Sequence, residues 1–189
     1  MTIIRVALGE RSYPIHIAPS YHRLPQALHD AGLGPLVVIV SHRRLLDSFG
    51  RELTRPLRRA GFSLATITIP ESERSKSSAT TQRVITQLAR LATMRVPVLA
   101  AFGGGVVGDL TGFVAAVFRR GVPYIQLPTT LLAQVDSSIG GKVGIDLPTA
   151  KNAVGAFYQP RLVVNHLGLL QSLPLRQRRS GLAEVLKYA

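Results

Sequence analysis

Cysteine and tryptophan are missing from the 189 residues, and acidic side chains are few. Ten Asp and Glu stand against 23 Lys and Arg, for a formal net charge of +13 at pH 7. Without cysteine there is no disulfide framework, no thiolate metal cluster and no thiol nucleophile, so metal or covalent chemistry must use other groups. No apolar run approaches the ~18 residues of a membrane span. The opening Met1 to Ala7, alternating and broken by Arg5, lacks the pattern of a secretory leader. A cytoplasmic protein with no membrane partner is the expectation. Charged residues make up only 17% of the chain against 46% hydrophobic, which permits a sizeable core and excludes a disordered chain.

The excess of positive charge does not form a nucleic-acid footprint. Basic residues are scattered singly or in pairs, and the longest cluster, Arg176 to Arg179, is interrupted by Gln177. No nucleic-acid partner is expected, and a basic, non-catalytic nucleotide- or nucleic-acid-binding module is the alternative from a different class. Only four of the 23 basic residues are Lys: Lys76, Lys142, Lys151 and Lys187. Keeping Lys at a few places beside Gly, Asn and acidic residues points to sites that need a compact ammonium and not a planar fork.

Thr2 to Leu8 and Ser12 to Ala18 alternate about a Gly9-Glu10 break, which predicts an antiparallel hairpin. Leu36 to Ser41, Ser63 to Ile69, Val96 to Phe102 and Tyr124 to Leu127 are short apolar runs of the kind found in buried parallel strands. Between them Leu45 to Ala60 (closed by Gly61), Ser77 to Leu91 and Val107 to Phe118 repeat apolar residues at three and four, as helices do. The pattern predicts an α/β fold: an open, mostly parallel sheet with helices on both faces. Such sheets bind ligands at the carboxyl ends of their strands. Thr129 to Pro160 reads as Gly-rich and irregular, followed by a strand at Leu162 to Val164 and a helix at Arg178 to Tyr188. That last pattern is unfinished at Ala189 and carries no stop signal, so the protein is expected to continue.

Gly103-Gly104-Gly105-Val106-Val107-Gly108-Asp109 follows one of these strands and opens a helix. Its glycines would let the backbone approach a diphosphate at the positive end of the helix dipole. It belongs to the third βα unit, and the acidic residue of an ordinary dehydrogenase fingerprint is missing some twenty residues on. Pro128 to Lys142 then gathers Thr129, Thr130, Asp136, Ser137, Ser138, Gly140, Gly141 and Lys142 after a buried strand, where such polarity needs a ligand or a cap. Lys151-Asn152 repeats an ammonium-plus-amide pair suited to phosphate or a polyhydroxylated substrate. Pro70 to Lys76 is either a polar loop capping the helix after Ser77 or part of a site. Glu184 and Lys187, three apart on the last helix, read by themselves as a surface ion pair. The five His, at 16, 22, 29, 42 and 166, show no metal-site spacing and read as surface or fold residues.

Together these segments resemble the 3-dehydroquinate synthases, sugar-phosphate cyclases of the shikimate pathway to chorismate and the aromatic amino acids. The resemblance rests on GGGVVGDLTGFVAA, RGVPYIQLPTTLLAQVDSSIGGK, KNAVGAFYQP and GLAEVLKYA, in the family's order and spacing. Iron-dependent alcohol and glycerol dehydrogenases share the architecture but continue differently after Pro-Thr-Thr. Cyclases of other sugar phosphates differ chiefly in the KN-x-x-G-x-F-x-Q-P segment. The resemblance implies an NAD-binding α/β domain over residues 1–189, ending where the family's helical, metal-binding second domain begins, with that domain absent. It further implies that Glu71, Ser72, Glu73, Arg74, Ser75 and Lys76 contact NAD. Gly104, Gly105, Val106, Val107, Gly108 and Asp109 would hold its diphosphate, while Thr129, Thr130, Lys142, Lys151, Leu169, Leu170, Gln171 and Ser172 complete the cofactor site. Asp136, Lys142, Asn152 and Lys187 would meet the sugar-phosphate substrate. Arg120 would reach the phosphate of a neighbouring subunit of a homodimer, and Glu184 would ligate zinc or cobalt, with the remaining ligands outside this chain.

The implied reaction converts 3-deoxy-D-arabino-heptulosonate 7-phosphate to 3-dehydroquinate and phosphate, with this chain alone inactive. Four residues depart from the family. His42 and Arg43 stand where an Asp or Asn would meet the adenosine ribose, and Ser72 and Ala150 replace glycines, where a positive φ would cost about 1 kcal/mol.

Overall fold

Aliphatic and β-branched runs, separated by amphipathic stretches, set the frame of the molecule. The computed structural model describes residues 1–92 and 94–188; Ala189, where the helical pattern is unfinished, lies outside them. In chain order the elements are β1 (Thr2–Val6), β2 (Tyr13–Ala18), α1 (Leu24–Asp30), β3 (Leu36–His42), α2 (Arg43–Arg59), β4 (Ser63–Ile69), α3 (Ser78–Leu91), β5 (Val98–Gly103), α4 (Gly105–Val117), β6 (Tyr124–Pro128), β7 (Lys142–Leu147), β8 (Ala150–Phe157), β9 (Leu162–His166) and α5 (Leu175–Tyr188).

Seven strands form one sheet in the order β1-β2-β9-β6-β5-β3-β4. Only the β1–β2 pair is antiparallel, and β2 pairs parallel with β9, placing Ile15 opposite Val163. β5, β6 and β9 are buried at every position, as expected for strands covered on both faces. On one face Leu24, Ala27 and Leu28 of α1 and Leu53 and Leu57 of α2 pack on Val37, Ile39 and Ala100. On the other, Val84 and Leu88 of α3 and Leu110 and Val114 of α4 pack on Val38, Val40 and Leu99. The predicted open, mostly parallel α/β sheet is therefore the fold.

Two elements differ from the sequence reading. α1 is only seven residues long, with Pro at its start and no acidic first turn, so it leaves little periodic signal. The larger correction concerns Thr129 to Pro160. That segment holds a π-helical turn at Ala133–Ser137 and a two-stranded antiparallel hairpin, β7–β8. Its glycines, which read as loop, are demanded by strand contact: Gly144 faces Gly155, and a Cβ on Gly155 would lie 2.3 Å from the Val143 carbonyl oxygen. The hairpin packs on α4, where a Cβ on Gly112 would meet Val143 Cγ1 at 2.3 Å. The strain expected at Ser72 and Ala150 does not arise, since Ser72 is extended at φ −158° and the non-glycine residues with positive φ are Arg119, Arg120 and Asn152.

Candidate functional site

The carboxyl ends of β3, β5 and β6 frame a cavity of about 480 Å³, and it opens where the strand order reverses between β3 and β5. Its floor is the start of α4. Gly104 is the N-cap and supplies no side-chain cap, so the first-turn N–H groups of the helix are left for a ligand. Side chains here would fill the cradle: a Cβ on Gly104 would stand 3.2 Å from Thr130 Cγ2, and one on Gly105 3.2 Å from Ser137 Oγ. Gly104, Gly105, Val106, Thr129, Thr130, Glu71, Ser72, Glu73, Leu169 and Ser172, the positions for which the resemblance implies NAD contacts, all line this space. Arg74 and Gln171 are exposed, Leu170 is half-buried, and Ser75, Val107 and Gly108 are buried. Those six do not line it.

α2 contributes a side of the cavity that sequence reasoning missed. Arg44, Leu45, Ser48 and Phe49 line it, with His42 at the end of β3. The Arg44 guanidinium meets the Glu71 carboxylate at 3.2 Å, while Arg43 turns out to Asp47 at 3.0 Å. The position doubtful for ribose recognition is thus held by His42, whose Nδ1 lies 3.3 Å from the Ile69 carbonyl oxygen. The opposite wall is a 3-10 turn at Leu167–Ser172. His166 anchors it: Nδ1 accepts the Gly168 N–H at 3.0 Å, Nε2 lies 2.6 Å from Glu52 Oε1 on α2, and the Tyr21 ring packs edge-on at 5.0 Å. Nδ1 must be unprotonated to accept that bond, so the neutral ring carries its proton on Nε2, facing Glu52.

Lys76 and Asp109 depart from their predicted places. Lys76 is buried, and its Nζ lies 2.6 Å from Asp109 Oδ2 and donates to Asn152 Oδ1. Burial pushes the Asp109 carboxyl above the ordinary carboxylate range, an effect that the Lys76 hydrogen bond and charge only partly offset. Asp109 faces a second cavity, of about 620 Å³, with Asp136, Ser137, Lys142, Asn152 and the exposed Phe157. The two cavities adjoin at Gly105 and Ser137.

α5 reaches the same region. A Cβ on its Gly181 would lie 2.6 Å from Leu131 Cβ, so the missing side chain lets the helix lie against the segment before the π turn. Tyr188 Oη then donates to Asp136 Oδ1 at 3.2 Å. Glu184 and Lys187 form an ion pair at 2.6 Å, which holds the Lys187 ammonium above its ordinary value. Lys151 is exposed on β8. Arg120 is exposed at φ 64° beyond the far end of α4, a helix about 20 Å long at 1.5 Å per residue, and is not brought to either cavity. Among the described residues no group of three or more His, Cys, Asp or Glu is placed to hold a metal ion. No described helix is long and apolar enough to cross a membrane.

A family profile described as 3-dehydroquinate synthase N-terminal matches residues 66–180. A curated 3-dehydroquinate synthase of Pelotomaculum thermopropionicum is 46% identical over all 189 residues, which correspond to 51% of that relative. The chain thus spans about half the length of the curated relatives it matches. Among solved structures, 2-deoxy-scyllo-inosose synthase complexed with carbaglucose-6-phosphate, NAD+ and Co2+ superposes with a TM-score of 0.90 at 24% identity, over 98% of this chain and 51% of that one. The 2-epi-5-epi-valiolone synthase of Streptomyces hygroscopicus subsp. jinggangensis 5008, with NAD+ and Zn2+ bound, gives 0.83 at 32% identity, over 97% and 51%.

Proposed function

The chain belongs to the 3-dehydroquinate synthase family, and from that membership we propose that residues 1–189 are the NAD-binding part of an enzyme converting 3-deoxy-D-arabino-heptulosonate 7-phosphate to 3-dehydroquinate and phosphate. The observation that carries the reading is the side-chain-free cradle at Gly104 and Gly105, placed over uncapped helix N–H groups at the point where the strand order reverses. That donor set fits a dinucleotide diphosphate. Bound there, NAD would supply reversible hydride acceptance from a substrate hydroxyl, which acidifies the neighbouring C–H.

The chain's own groups do the rest. Thr129 and Thr130 offer hydroxyl donors beside the cradle, and the Leu169 to Ser172 turn closes one side of it. In the second cavity the Lys142 ammonium and Asn152 amide would hold the departing phosphate; Lys151, exposed on β8 beside Asn152, and Lys187 on α5 would add positive charge for the substrate. Asp136, oriented by Tyr188, would accept a hydrogen bond from a substrate hydroxyl. Phosphate can take the neighbouring proton itself as it leaves, so no protein base is needed at that step.

For the metal the fit is incomplete. Glu184 is a single carboxylate, whereas a catalytic zinc takes three protein ligands. Glu184 stands as one candidate ligand. Arg120, distant from both cavities of its own chain, suits a role across a homodimer.

Calorimetry with NAD tests the reading. The parent chain is expected to bind and Gly105→Val to lose binding, with melting temperatures recorded for both. A parent that gives no heat with NAD, yet binds duplex DNA in a salt-sensitive way, reverses it.

A further inference from the structure

A polar seam runs between the two cavities, and one of its members has no role in the site as described. We infer that Asp146 is a positioning residue that clips the β7–β8 hairpin to the loop after β4 and, through Asn152, fixes the Lys76 ammonium between the cavities. The clip is read from this chain alone; its consequence for a ligand rests on the NAD reading above.

The β7–β8 ladder shifts register between Ile145 and Leu147, which leaves Asp146 in an irregularity of the strand. Such bulges re-aim a residue away from its own ladder. Freed from β8, Asp146 makes an isolated parallel bridge with Ser77, and its N–H donates to the Lys76 carbonyl oxygen at 2.8 Å. Its carboxylate serves the other side of the seam, where Oδ1 accepts the Asn152 N–H at 2.6 Å. Asn152 has a left-handed backbone at φ 53°, a conformation Asn tolerates better than most residues. In that pose its amide oxygen accepts from Lys76 Nζ, whose other partner is Asp109 Oδ2. One residue thus holds the Lys76 backbone directly and the Lys76 ammonium through Asn152. An ammonium has three donors, and the two protein acceptors leave one for a ligand. Moving Asn152 would re-aim that donor.

The test compares Asp146→Ala, Asp146→Asn, Asn152→Ala and the Asp146→Ala/Asn152→Ala double variant with the parent. Without ligand, Asp146→Ala is expected to speed amide exchange at Asn152 at least roughly tenfold, because a charge-assisted bond is lost. β5 and α4 should keep their parent rates. Asp146→Asn, which keeps an acceptor oxygen, should restore most of the protection. With NAD as the probe, Asp146→Ala should weaken binding several-fold, and the double variant should bind no worse than Asn152→Ala alone. Unchanged Asn152 exchange in Asp146→Ala overturns the clip. NAD affinity equal to the parent's, or additive losses in the double variant, overturns the positioning role. If the parent itself gives no NAD heat, the cofactor reading has failed, and the exchange rates alone decide the clip.

Discussion

The two cavities on the rim of the sheet are built by opposite means. The floor and one wall of the first are backbone, namely the glycines at the end of β5, the open first turn of α4 and a 3-10 turn rooted in buried β9, with α2 side chains along another side. The second is made largely of side chains from the β7–β8 hairpin, the π turn and Asp109 of α4, and the hairpin is held by the Lys76–Asn152 hydrogen bond and by close packing of Val143 on Gly112. A backbone cradle suits the diphosphate that every dinucleotide shares. A cavity whose chemistry lies on exposed strands can change its substrate without disturbing the core, which fits a family whose structural neighbours have different reaction names.

The sharpest way to break that contrast is at the seam. Asp109→Asn would leave the buried Lys76 ammonium beside a neutral amide, and the expected cost is about 3 kcal/mol or more. It should be measured by urea unfolding at neutral pH. Unchanged stability would mean that the hairpin does not depend on the pair. The same variant carries a pH signature. Because the Asp109 pKa is raised in the fold, the folded chain keeps this proton over a window in which the unfolded chain has lost it. The stability contributed by Asp109 is therefore full below the ordinary carboxylate pKa and falls as pH rises through the raised one. Asp109→Asn should flatten that part of the profile of urea midpoint against pH.

Gly155→Ala comes next. A Cβ there would press on the backbone of β7, and overpacking of this kind costs about 1–3 kcal/mol. Amide exchange should rise in β7 and β8 while β5 stays protected. Equal loss in all three strands would make the hairpin and the sheet one cooperative unit.

His166→Phe tests the backbone-built cavity with a smaller change. Ring volume is kept while the bonds to Gly168 and Glu52 are lost, for about 1–2 kcal/mol. NAD affinity should fall several-fold as the Leu169 to Ser172 wall loosens, and unaltered affinity would detach that turn from binding. Glu184→Gln is expected to do least. The pair with Lys187, whose ammonium is exposed and whose carboxylate is half-buried, contributes little to folding, so the melting temperature and NAD affinity should match the parent's. A clear loss of stability would make α5 part of the structural frame.

Apolar runs made the sheet legible because the central strands are covered on both faces, so most positions of β3, β5 and β6 are hydrophobic. The cradle at Gly104 was legible for a similar reason, since few arrangements other than a ligand-facing βα turn use that glycine spacing. The hairpin was not, because Gly144, Gly155, Lys142 and Asn152 carry the composition of a loop, and their strand geometry comes from packing on α4. Asp146 was hidden as well. Its importance lies in a register shift, which no local pattern reports. Arg44 and His166 act through partners far along the chain, Glu71 and Glu52, and only the fold brings those together.

β2 lies between β1 and β9, with Ile15 opposite Val163, so the β1–β2 hairpin has no parallel neighbour until β9, far along the chain, has been made. Closing so long a loop is entropically slow, and non-local pairing of this kind delays folding. In the interval the chain holds an unfinished sheet with the edge of β6 bare, a surface on which strands of other chains can pair. The wall at Leu169 to Ser172 follows β9 directly, so the first cavity is completed in the same late event that closes the sheet.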